Sequence, residues 1–370
     1  MTSLSDAPQS LGPLPHVGTD FIATIERAGL VGRGGAAFPT AVKWRAVVAR
    51  SRGDAVVVVN GAEAEPRSQK DRFLMTARPH LVLDGAFIAA HVLGARRVFL
   101  YIGERHSAAR AAILAALAER RDRERSLVTV AWAPGRYVAG AETAAVHFLN
   151  EVIATPTTTP PYPFERGVGG APTLVQNVET LARIALMARG EFADTVLVTL
   201  AGGFSRPGVY EFATGITLDE AVGRAGGFTE PPRAVLVGGY FGAWLDFERA
   251  SQLRLDHQVT SLGCGVIGAL PSSRCPVCDV AGIMRYLAGE SSAQCGPCLF
   301  GLRALADACT RVAEGTTDGR DVARLERWAG DVRGRGACRH PDGAVVFLSS
   351  ALKAFAGEFA HHSHPVSLSA

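Results

Sequence analysis

The first half of the chain alternates short apolar runs with stretches of helical periodicity. Apolar runs at residues 55–60, 97–103 and 126–133 predict buried strands, because most of their positions are hydrophobic. The stretch 80–94 and the alanine-rich stretch that begins at Ser107 predict helices between these strands. Strands that alternate with helices are typical of a parallel sheet covered on its faces. We therefore expect an α/β domain over residues 1–190.

The hydrophobic pattern changes after Glu191. Apolar residues then alternate with turn glycines around one short helix, which predicts a small β-grasp-like module at residues 191–270. Amphipathic stretches within residues 271–362 predict a four-helix bundle, and residues 363–370 are expected to form a loose tail. The segment 154–163 is rich in Pro and Thr and is expected to be extended, because proline is excluded from helix interiors.

Composition and charge exclude several classes of protein. The chain has 370 residues, of which 48% are hydrophobic and 20% charged, as in globular proteins of more than one domain. Its net charge of +3 is too small to indicate nucleic-acid binding. No apolar run reaches the ~18 residues of a spanning helix. The first residues lack the basic start and apolar core of a secretory signal, so we expect a cytoplasmic protein.

Lysine is rare in this chain, and cysteine is confined to its last third. Of 38 basic residues only Lys43, Lys70 and Lys353 are lysines. A GC-rich genome explains the preference for arginine, but each lysine then needs a local reason. All seven cysteines lie at or after Cys264. An odd number confined to one region indicates a metal site or cluster rather than a disulfide framework.

A glycine-rich run at residues 32–40 is the first candidate for a ligand site. It contains Gly32, Gly34 and Gly35 and is followed by Lys43. Glycines let the backbone approach a flat or anionic ligand closely, and a helix that begins near Thr40 would favour a phosphate. Ordinary surface turns have the same composition, so this run alone is weak evidence for a nucleotide site.

Polar residues directly follow the first predicted strand. Asn60, Glu63 and Glu65 lie just beyond its end. Ligands of open α/β sheets bind at the carboxyl ends of the strands. These side chains are therefore placed to meet a flavin or a ribose, and a solvated turn is the alternative interpretation.

Six stretches, in the same order along the chain, resemble one protein family. GRGGAAFPTAVKW is similar to GRGGAGFPTGxKW, NGAEAEPRSQKDR to NADExEPGxFKDR, GRYVAGAETA to GAYICGEETA, and PPYPFERGVGGAPTLVQNVET to PPFPAxKGLxGKPTxVNNVET. The region 202–242 resembles a soluble-ligand-binding β-grasp module, and the final helical region resembles a cluster-binding bundle. Residues 28–354 as a whole resemble the NADH-binding flavoprotein subunit of respiratory complex I and of related NAD-linked hydrogenases and formate dehydrogenases.

This resemblance implies a Rossmann-like FMN-binding domain, then the β-grasp module, then a four-helix iron–sulfur bundle. It also implies that NAD(H) is the substrate, that FMN accepts its hydride, and that single electrons leave through a 4Fe–4S cluster. Matched position by position, Glu65 and Glu142 would be the acidic residues at the reaction site, and Arg166 would replace a lysine. The implied cofactor-binding residues are Gly32, Arg33, Gly34, Gly35, Phe38, Lys43, Asn60, Glu63, Glu65, Tyr137, Glu142, Arg166, Asn177 and Thr180.

Several positions depart from the family pattern. Ala62 and Ala141 stand where the family has acidic residues. Of the aromatic residues that pack around adenine only Phe38 remains, because Ala46 and Gly169 occupy the other positions. Losing a stacking ring costs about 1 kcal/mol. The sequence therefore favours FMN binding over NADH oxidation.

The cluster motif departs from the pattern as well. The family has SCGxCxxC followed by a fourth cysteine. This chain has Cys295 and Cys298, then Cys338, with Ser292 at the first ligand position. A serine oxygen binds iron less well than a thiolate, the usual cluster ligand. Four outcomes stay open: a serine-ligated 4Fe–4S cluster, a 3Fe–4S cluster, rescue by another cysteine, or no cluster.

Four cysteines lie outside this motif. Cys275 and Cys278 are candidates either for the missing cluster ligand or for a separate small site. Cys264 and Cys309 are expected in the core, where free cysteines are common.

Three functions are compatible with these residues. The preferred one is a flavin-dependent electron-transfer subunit with a ferredoxin-like or thioredoxin-like iron–sulfur partner, held at the inner face of the plasma membrane through a membrane-bound redox complex. The second is an FMN protein that passes electrons between a ferredoxin and another redox partner without NADH. The third is a cofactor-poor structural or assembly subunit. An ordinary dehydrogenase is disfavoured, because the chain lacks GxGxxG.

Overall fold

The structure is a computed structural model that describes residues 3–5, 12–258 and 260–363. The chain divides into two compact units. The first contains residues 1–199, 209–216 and 255–265, and the second contains residues 200–208, 217–254 and 266–370. The domain boundaries predicted after residues 190, 270 and 362 stay predictions. Of the predicted tail, residues 364–370 lie outside the described residues.

The described residues form helices and strands in alternation, followed by a helical region. The helices are α1 Phe21–Arg27, α2 Thr40–Val48, α3 Lys70–Ala77, α4 Pro79–Leu93, α5 Ser107–Ala118, α6 Asp122–Arg125, α7 Glu142–Glu151, α8 Val178–Ala188, α9 Leu218–Arg224, α10 Phe247–Ala250, α11 Pro276–Gly289, α12 Arg303–Glu314, α13 Asp321–Val332, α14 His340–Ala354 and α15 Ala356–His362. The strands are β1 Val56–Gly61, β2 Arg97–Gly103, β3 Val128–Ala133, β4 Thr173–Asn177, β5 Thr195–Gly202, β6 Gly208–Ala213, β7 Pro232–Val237, β8 Ala243–Leu245 and β9 Val266–Pro271.

The first sheet confirms the predicted parallel arrangement. Its strand order is β3-β2-β1-β4, and every neighbouring pair is parallel. The chain runs outward from β1 through β2 to β3 and then returns to the other side of β1 with β4. The order therefore reverses between β1 and β4, where Asn60 is paired with Asn177. Such a switch point, at the carboxyl ends of the strands, is the usual ligand position in this class of sheet.

Apolar residues and one glycine hold helices against this sheet. Val57 and Val59 of β1 are buried together with most of α4 and α8. Gly85 lies where α4 approaches α8, and a Cβ at this position would lie 1.9 Å from the carbonyl oxygen of Leu181. The missing side chain therefore permits a separation between α4 and α8 that any larger residue would prevent.

The second sheet has the order β6-β5-β9-β7-β8. In the second unit, β7 pairs antiparallel with both β8 and β9, so that Leu236 lies opposite Trp244 on one side and Gly268 on the other. The predicted short helix of this region is α9. It begins with a capping box in which Thr217 and Glu220 each bond the other's backbone N–H.

The final predicted helix is two helices in the structure. The chain bends by 85° between α14 and α15, at Phe355, whose φ of −118° and ψ of 32° are not helical. The bend buries Phe355 and Phe359, and the ring of Phe355 lies 5.4 Å from that of Trp244. Helical periodicity alone does not reveal this break, because both segments keep their own apolar spacing.

No single helix among the described residues combines the length and apolarity that a membrane crossing requires. The bent pair α14 and α15 meets that requirement only when the two are taken together, and only by length and composition.

Candidate functional site

The glycine-rich loop, residues 32–40, is tied to the start of α8. The backbone N–H of Arg33 donates to Thr180 Oγ1 at 2.9 Å. A Cβ on Gly34 would lie 3.4 Å from the Cβ of Asn177, so loop and helix are in close contact. Gly35 has a φ of 117°, which favours glycine. The structure therefore places the predicted glycine loop at the switch point between β1 and β4.

Two predicted site residues bridge neighbouring segments at the strand ends. Asn60 Nδ2 donates to the carbonyl oxygen of Gly140 at 2.9 Å. Asn177 Oδ1 accepts from the N–H of Glu179 at 2.9 Å and caps α8, while its Nδ2 donates to Asp71 Oδ2 at 2.6 Å. These side chains fix the loops around the site, and their polar atoms are engaged within the protein.

Glu63 has a similar supporting role. Its Oε1 accepts from Ser68 Oγ at 2.7 Å and from the N–H of Asp71 at 2.8 Å. Its Oε2 accepts from the N–H and the Nε of Arg72, both at 2.9 Å. The carboxylate is only 2% exposed. It satisfies two free N–H groups in the first turn of α3, which the sequence did not predict.

Two further pairs of polar side chains form among the predicted site residues. Lys43 Nζ donates to Glu142 Oε2 at 2.8 Å and to the carbonyl oxygen of Val175 at 3.1 Å. Tyr137 donates its hydroxyl to Glu65 Oε2 at 3.2 Å. The structure thus joins Lys43 and Glu142 in an ion pair, and Tyr137 and Glu65 in a hydrogen-bonded pair.

The last two predicted residues of this site are exposed. Phe38 is 48% exposed, which is unusual for a large aromatic ring. Arg166 is also exposed, and its backbone N–H donates to the carbonyl oxygen of Tyr162 at 3.0 Å. The structure leaves both side chains accessible to a ligand.

Sequence reasoning missed a buried ionic cluster behind the loop. Lys70 Nζ lies 2.6 Å from Asp71 Oδ1 and 3.0 Å from Glu179 Oε2, and Arg183 Nη2 lies 2.8 Å from Glu179 Oε1. Burial opposes ionisation of Glu179, but Lys70, Arg183 and Arg33 outweigh it and lower its pKa to about 2. The rarity of lysine in this chain was the signal that pointed to Lys70.

Cys264 lies beside the same loop. A Cβ on Gly35 would lie 3.9 Å from the backbone nitrogen of Cys264. The residue as a whole is half-buried but its thiol is buried, and Cys309 is fully buried in α12 as predicted. Burial of the Cys264 thiol, reinforced by Glu65, raises its pKa well above the ordinary value.

In the second unit the structure brings the three predicted cluster thiols together. Burial, followed by the charges of Cys295 and Cys338, raises the pKa of Cys298 to about 12. The hydroxyl that hydrogen bonds to Cys298 belongs to Ser291, whereas Ser292 is half-buried one position on. Within residues 3–5, 12–258 and 260–363, no three His, Cys, Asp or Glu side chains are arranged to hold a metal ion.

Comparison with known proteins matches each of three parts of the chain to a described protein domain. Residues 25–186 match the Nuo51 FMN-binding domain, residues 197–239 the SLBB domain, and residues 280–362 the NADH-ubiquinone oxidoreductase-F iron–sulfur binding region. The F subunit of the NADH-quinone oxidoreductase of Salmonella typhimurium is 31% identical over 92% of this chain and 83% of that protein. The corresponding F 2 subunit of Rhizobium meliloti is 29% identical over 93% of this chain and 88% of that protein.

The chain belongs to the family of NADH-quinone oxidoreductase F subunits. Its predicted fold class is thereby confirmed. A solved structure of an NAD+-reducing [NiFe]-hydrogenase in the H2-reduced state superposes with a TM-score of 0.85 at 29% identity. The match covers 99% of this chain and 65% of the hydrogenase chain, so this F-subunit relative spans less than two thirds of that polypeptide.

The residues of this F-subunit relative fit the FMN that its family domain binds. Thr40 Oγ1 at the start of α2 and Gln176 Oε1 on β4 are buried without a hydrogen-bond partner among the described residues. A Cβ on Gly32 would lie 3.9 Å from Gln176 Nε2, so the loop adjoins one of these side chains. Buried polar atoms are seldom unpaired, and a ligand with several hydrogen-bonding groups would satisfy them.

The iron–sulfur region of this family member brings three thiols near one another, although among the described residues they are not arranged to hold a metal ion. Cys295, Cys298 and Cys338 supply the thiols. Ala293, at the glycine position of the family motif, has a φ of 52°, a conformation that glycine adopts more readily. The segment therefore has a glycine-like backbone turn at the position where the family motif has glycine, although its first ligand position carries a hydroxyl.

Proposed function

We propose that the chain is a flavin-dependent electron-transfer subunit that oxidises NADH and delivers electrons to an iron–sulfur partner. The observation that carries this proposal is the glycine loop bound through Arg33 and Thr180 at the switch point of the parallel sheet. Bound FMN would supply the conversion of a two-electron donor into one-electron steps. The names of the relatives, which specify NADH and NAD+, support the choice of donor.

The chain's own residues have distinct tasks in this proposal. The backbone of Gly32, Gly34 and Gly35 permits close approach of a planar ring. Lys43 provides the cation next to Glu142, and it is held in place by the carbonyl oxygen of Val175.

On the nicotinamide side, Phe38 offers an exposed ring for stacking. Glu65 is oriented by Tyr137, so its carboxylate points in a defined direction before any ligand arrives. Arg166 adds an exposed guanidinium for the phosphates of a dinucleotide.

One observation favours the second candidate, an FMN protein that exchanges electrons with a ferredoxin without NADH. Gly169 has a φ of 60°, and a Cβ there would lie 3.1 Å from Arg97 Nη2. An aromatic side chain at this position would be strained. The local backbone is therefore adapted to the loss of a stacking ring for adenine.

The partner that we propose is a ferredoxin-like or thioredoxin-like iron–sulfur subunit. The relatives are subunits of larger oxidoreductases by name, which supports assembly with other chains. We also propose a peripheral position on a membrane-bound redox complex, which the name NADH-quinone oxidoreductase of the relatives supports.

Anaerobically purified protein, reconstituted with FMN and iron, tests the proposal. We expect a flavin absorption band that bleaches on addition of NADH, and bound iron in the same sample. Lys43→Met should weaken FMN binding about tenfold or more, because a charge-assisted contact is lost. Lys353→Met removes an exposed lysine of α14 and is the matched control, with unchanged FMN affinity.

Each result separates the candidate functions. Flavin that bleaches only with dithionite or reduced ferredoxin supports the FMN protein without NADH. A chain that binds neither FMN nor iron under these conditions refutes both proposals and leaves the cofactor-poor assembly subunit.

A further inference from the structure

Two cysteines outside the cluster motif lie at the N-terminus of α11. The segment Cys275-Pro276-Val277-Cys278 places Cys275 at the N-cap and Cys278 in the first turn. The N–H of Cys278 donates to the Sγ of Cys275 at 3.3 Å. The two thiols also hydrogen bond to each other, so their sulfurs already lie side by side, as formation of a disulfide requires.

A histidine from another helix completes this group. Nε2 of His362, in α15, lies 3.6 Å from the Sγ of Cys275. Cys275 and His362 line a recess of about 370 Å³, together with Arg233, Glu358 and His361. Cys275 lines this recess and is half-buried, whereas Cys278 is exposed and lies outside the lining. A recess of this size is in the range of small-ligand sites.

These cysteines are too far from the cluster region to act there. Cys278 is the third residue of α11, and the remaining eleven residues of the helix lie between it and the segment that contains Ser291. A helical stretch of that length is about 16 Å long, far beyond the length of an iron–sulfur bond. The fourth cluster ligand therefore does not account for Cys275 and Cys278, and the pair needs another explanation.

We propose that Cys275 and Cys278 form a thiol–disulfide exchange site that accepts disulfides as substrates. The Cys275 thiolate attacks one sulfur of the substrate disulfide, the substrate S–S bond breaks, and the departing sulfur takes up a proton. The Cys278 thiol then loses its proton and attacks Cys275, which releases the second substrate sulfur as a thiol. Two electrons and two protons pass from the pair to the substrate. This exchange chemistry uses neither FMN nor an iron–sulfur cluster.

The roles of the two cysteines follow from their positions. Cys275 is the attacking sulfur, because it lines the recess and accepts a hydrogen bond from the N–H of Cys278 at the N-terminus of α11. The hydrogen bond to Cys275, followed by burial, raises the pKa of Cys278 to about 11. Cys278 therefore keeps its proton until the mixed disulfide forms. His362 is a positioning residue that hydrogen bonds to Cys275 in the reduced form.

Peptide mapping of the intact protein tests the proposal directly. Cleavage after Arg274 and Arg285 releases one peptide that contains both cysteines and no other. After equilibration of holoprotein with dithiothreitol and its cyclic disulfide, we expect this peptide to interconvert between a dithiol and an internal disulfide. Cys278→Ser should instead accumulate a mixed disulfide at Cys275 when glutathione disulfide is added.

The substrate class and the role of His362 have their own measurements. Faster reduction of insulin disulfides by dithiothreitol in the presence of the protein indicates protein substrates, whereas turnover of glutathione disulfide alone indicates small ones. His362→Asn should shift the dithiol–disulfide equilibrium about fivefold towards the disulfide, because a bond to the reduced form is lost. His361→Asn, in the same recess, is the matched control. A peptide that stays reduced at every ratio, with no mixed disulfide in Cys278→Ser, overturns the proposal.

Discussion

Glu63 serves the first turn of α3 with both of its carboxylate oxygens. Replacing it in Glu63→Gln substitutes a donor for one acceptor and leaves a buried N–H of Asp71 or Arg72 unpaired. We expect the free energy of unfolding to fall by about 1 to 3 kcal/mol. Urea denaturation followed by circular dichroism measures this change.

Glu151→Gln is the control for Glu63→Gln, because Glu151 is an exposed glutamate paired only through its i,i+4 position with His147. Its effect should stay within about 0.5 kcal/mol. Equal losses in the two variants would contradict the supporting role of Glu63.

Individual side chains also show where prediction from the sequence ends. Asn60 and Asn177 could be placed at the site, since both lie in recognisable motifs and Asn60 is at the end of a predicted strand. Their partners could not be predicted. Asp71 lies 106 positions from Asn177 in the sequence, and periodicity carries no information about such a contact. The same holds for Ser291, which contacts Cys298 in place of the neighbouring serine that the motif indicated.

Among the elements, the crossing of α4 and α8 depends on one missing side chain. Gly85→Ala would place a Cβ 1.9 Å from the carbonyl oxygen of Leu181, so the two helices would have to separate. We expect a loss of about 2 kcal/mol or more in the free energy of unfolding, as for other overpacked cores. Thermal and urea unfolding midpoints would report it.

Gly282→Ala distinguishes crowding from the intrinsic effect of a helical glycine. Gly282 lies inside α11 with no heavy atom within 4 Å of the added Cβ. This variant should be more stable than the parent by about 0.5 to 1 kcal/mol, because alanine favours helix. Stabilisation by Gly85→Ala as well would refute the close crossing.

The elements themselves were largely predictable, and their arrangement only in part. The runs 55–60 and 97–103 became β1 and β2 within one residue at each end, because strongly apolar runs leave little choice. The break between α14 and α15 was not predictable. It depends on the burial of Phe355 against Trp244, a contact between residues far apart in the sequence.

For the molecule as a whole, buried charge links stability to pH. Burial lowers the pKa of His257 to about 3, whereas the unfolded residue titrates near its usual value of 6.5. Between these values the unfolded state binds more protons, so His257 makes the fold less stable as the pH falls. Burial raises the pKa of Asp71 to about 6, which acts in the opposite direction. The contribution of His257 must therefore be measured as the difference in pH dependence between the parent protein and a variant without this histidine.

His257→Asn provides that difference. From pH 7 to pH 5 the parent should lose about 2 kcal/mol relative to this variant, because only the parent gains a proton at position 257 on unfolding. Urea midpoints measured at both pH values give the comparison. Parallel pH profiles for the two proteins would show that His257 is not buried as a neutral ring.

The division into units marks the limit of prediction at this largest scale. Local periodicity predicted a change of architecture after Glu191, and β5 of the second sheet begins at Thr195. Residues 209–216 and 255–265 nevertheless belong to the first unit, together with residues 1–199. The unit to which a segment belongs depends on its contacts with distant segments, and local sequence patterns carry no information about such contacts.

The bond between Arg33 and Thr180 has a consequence for motion. Thr180 lies in the first turn of α8, the turn that Asn177 caps and that Glu179 anchors in the buried ionic cluster. The glycine loop therefore cannot move away from α8 independently, because breaking its bond to Thr180 would disrupt the first turn of this buried helix. Opening of the glycine loop is thus a local unfolding event. A ligand that stabilises the closed loop therefore also stabilises the first turn of α8.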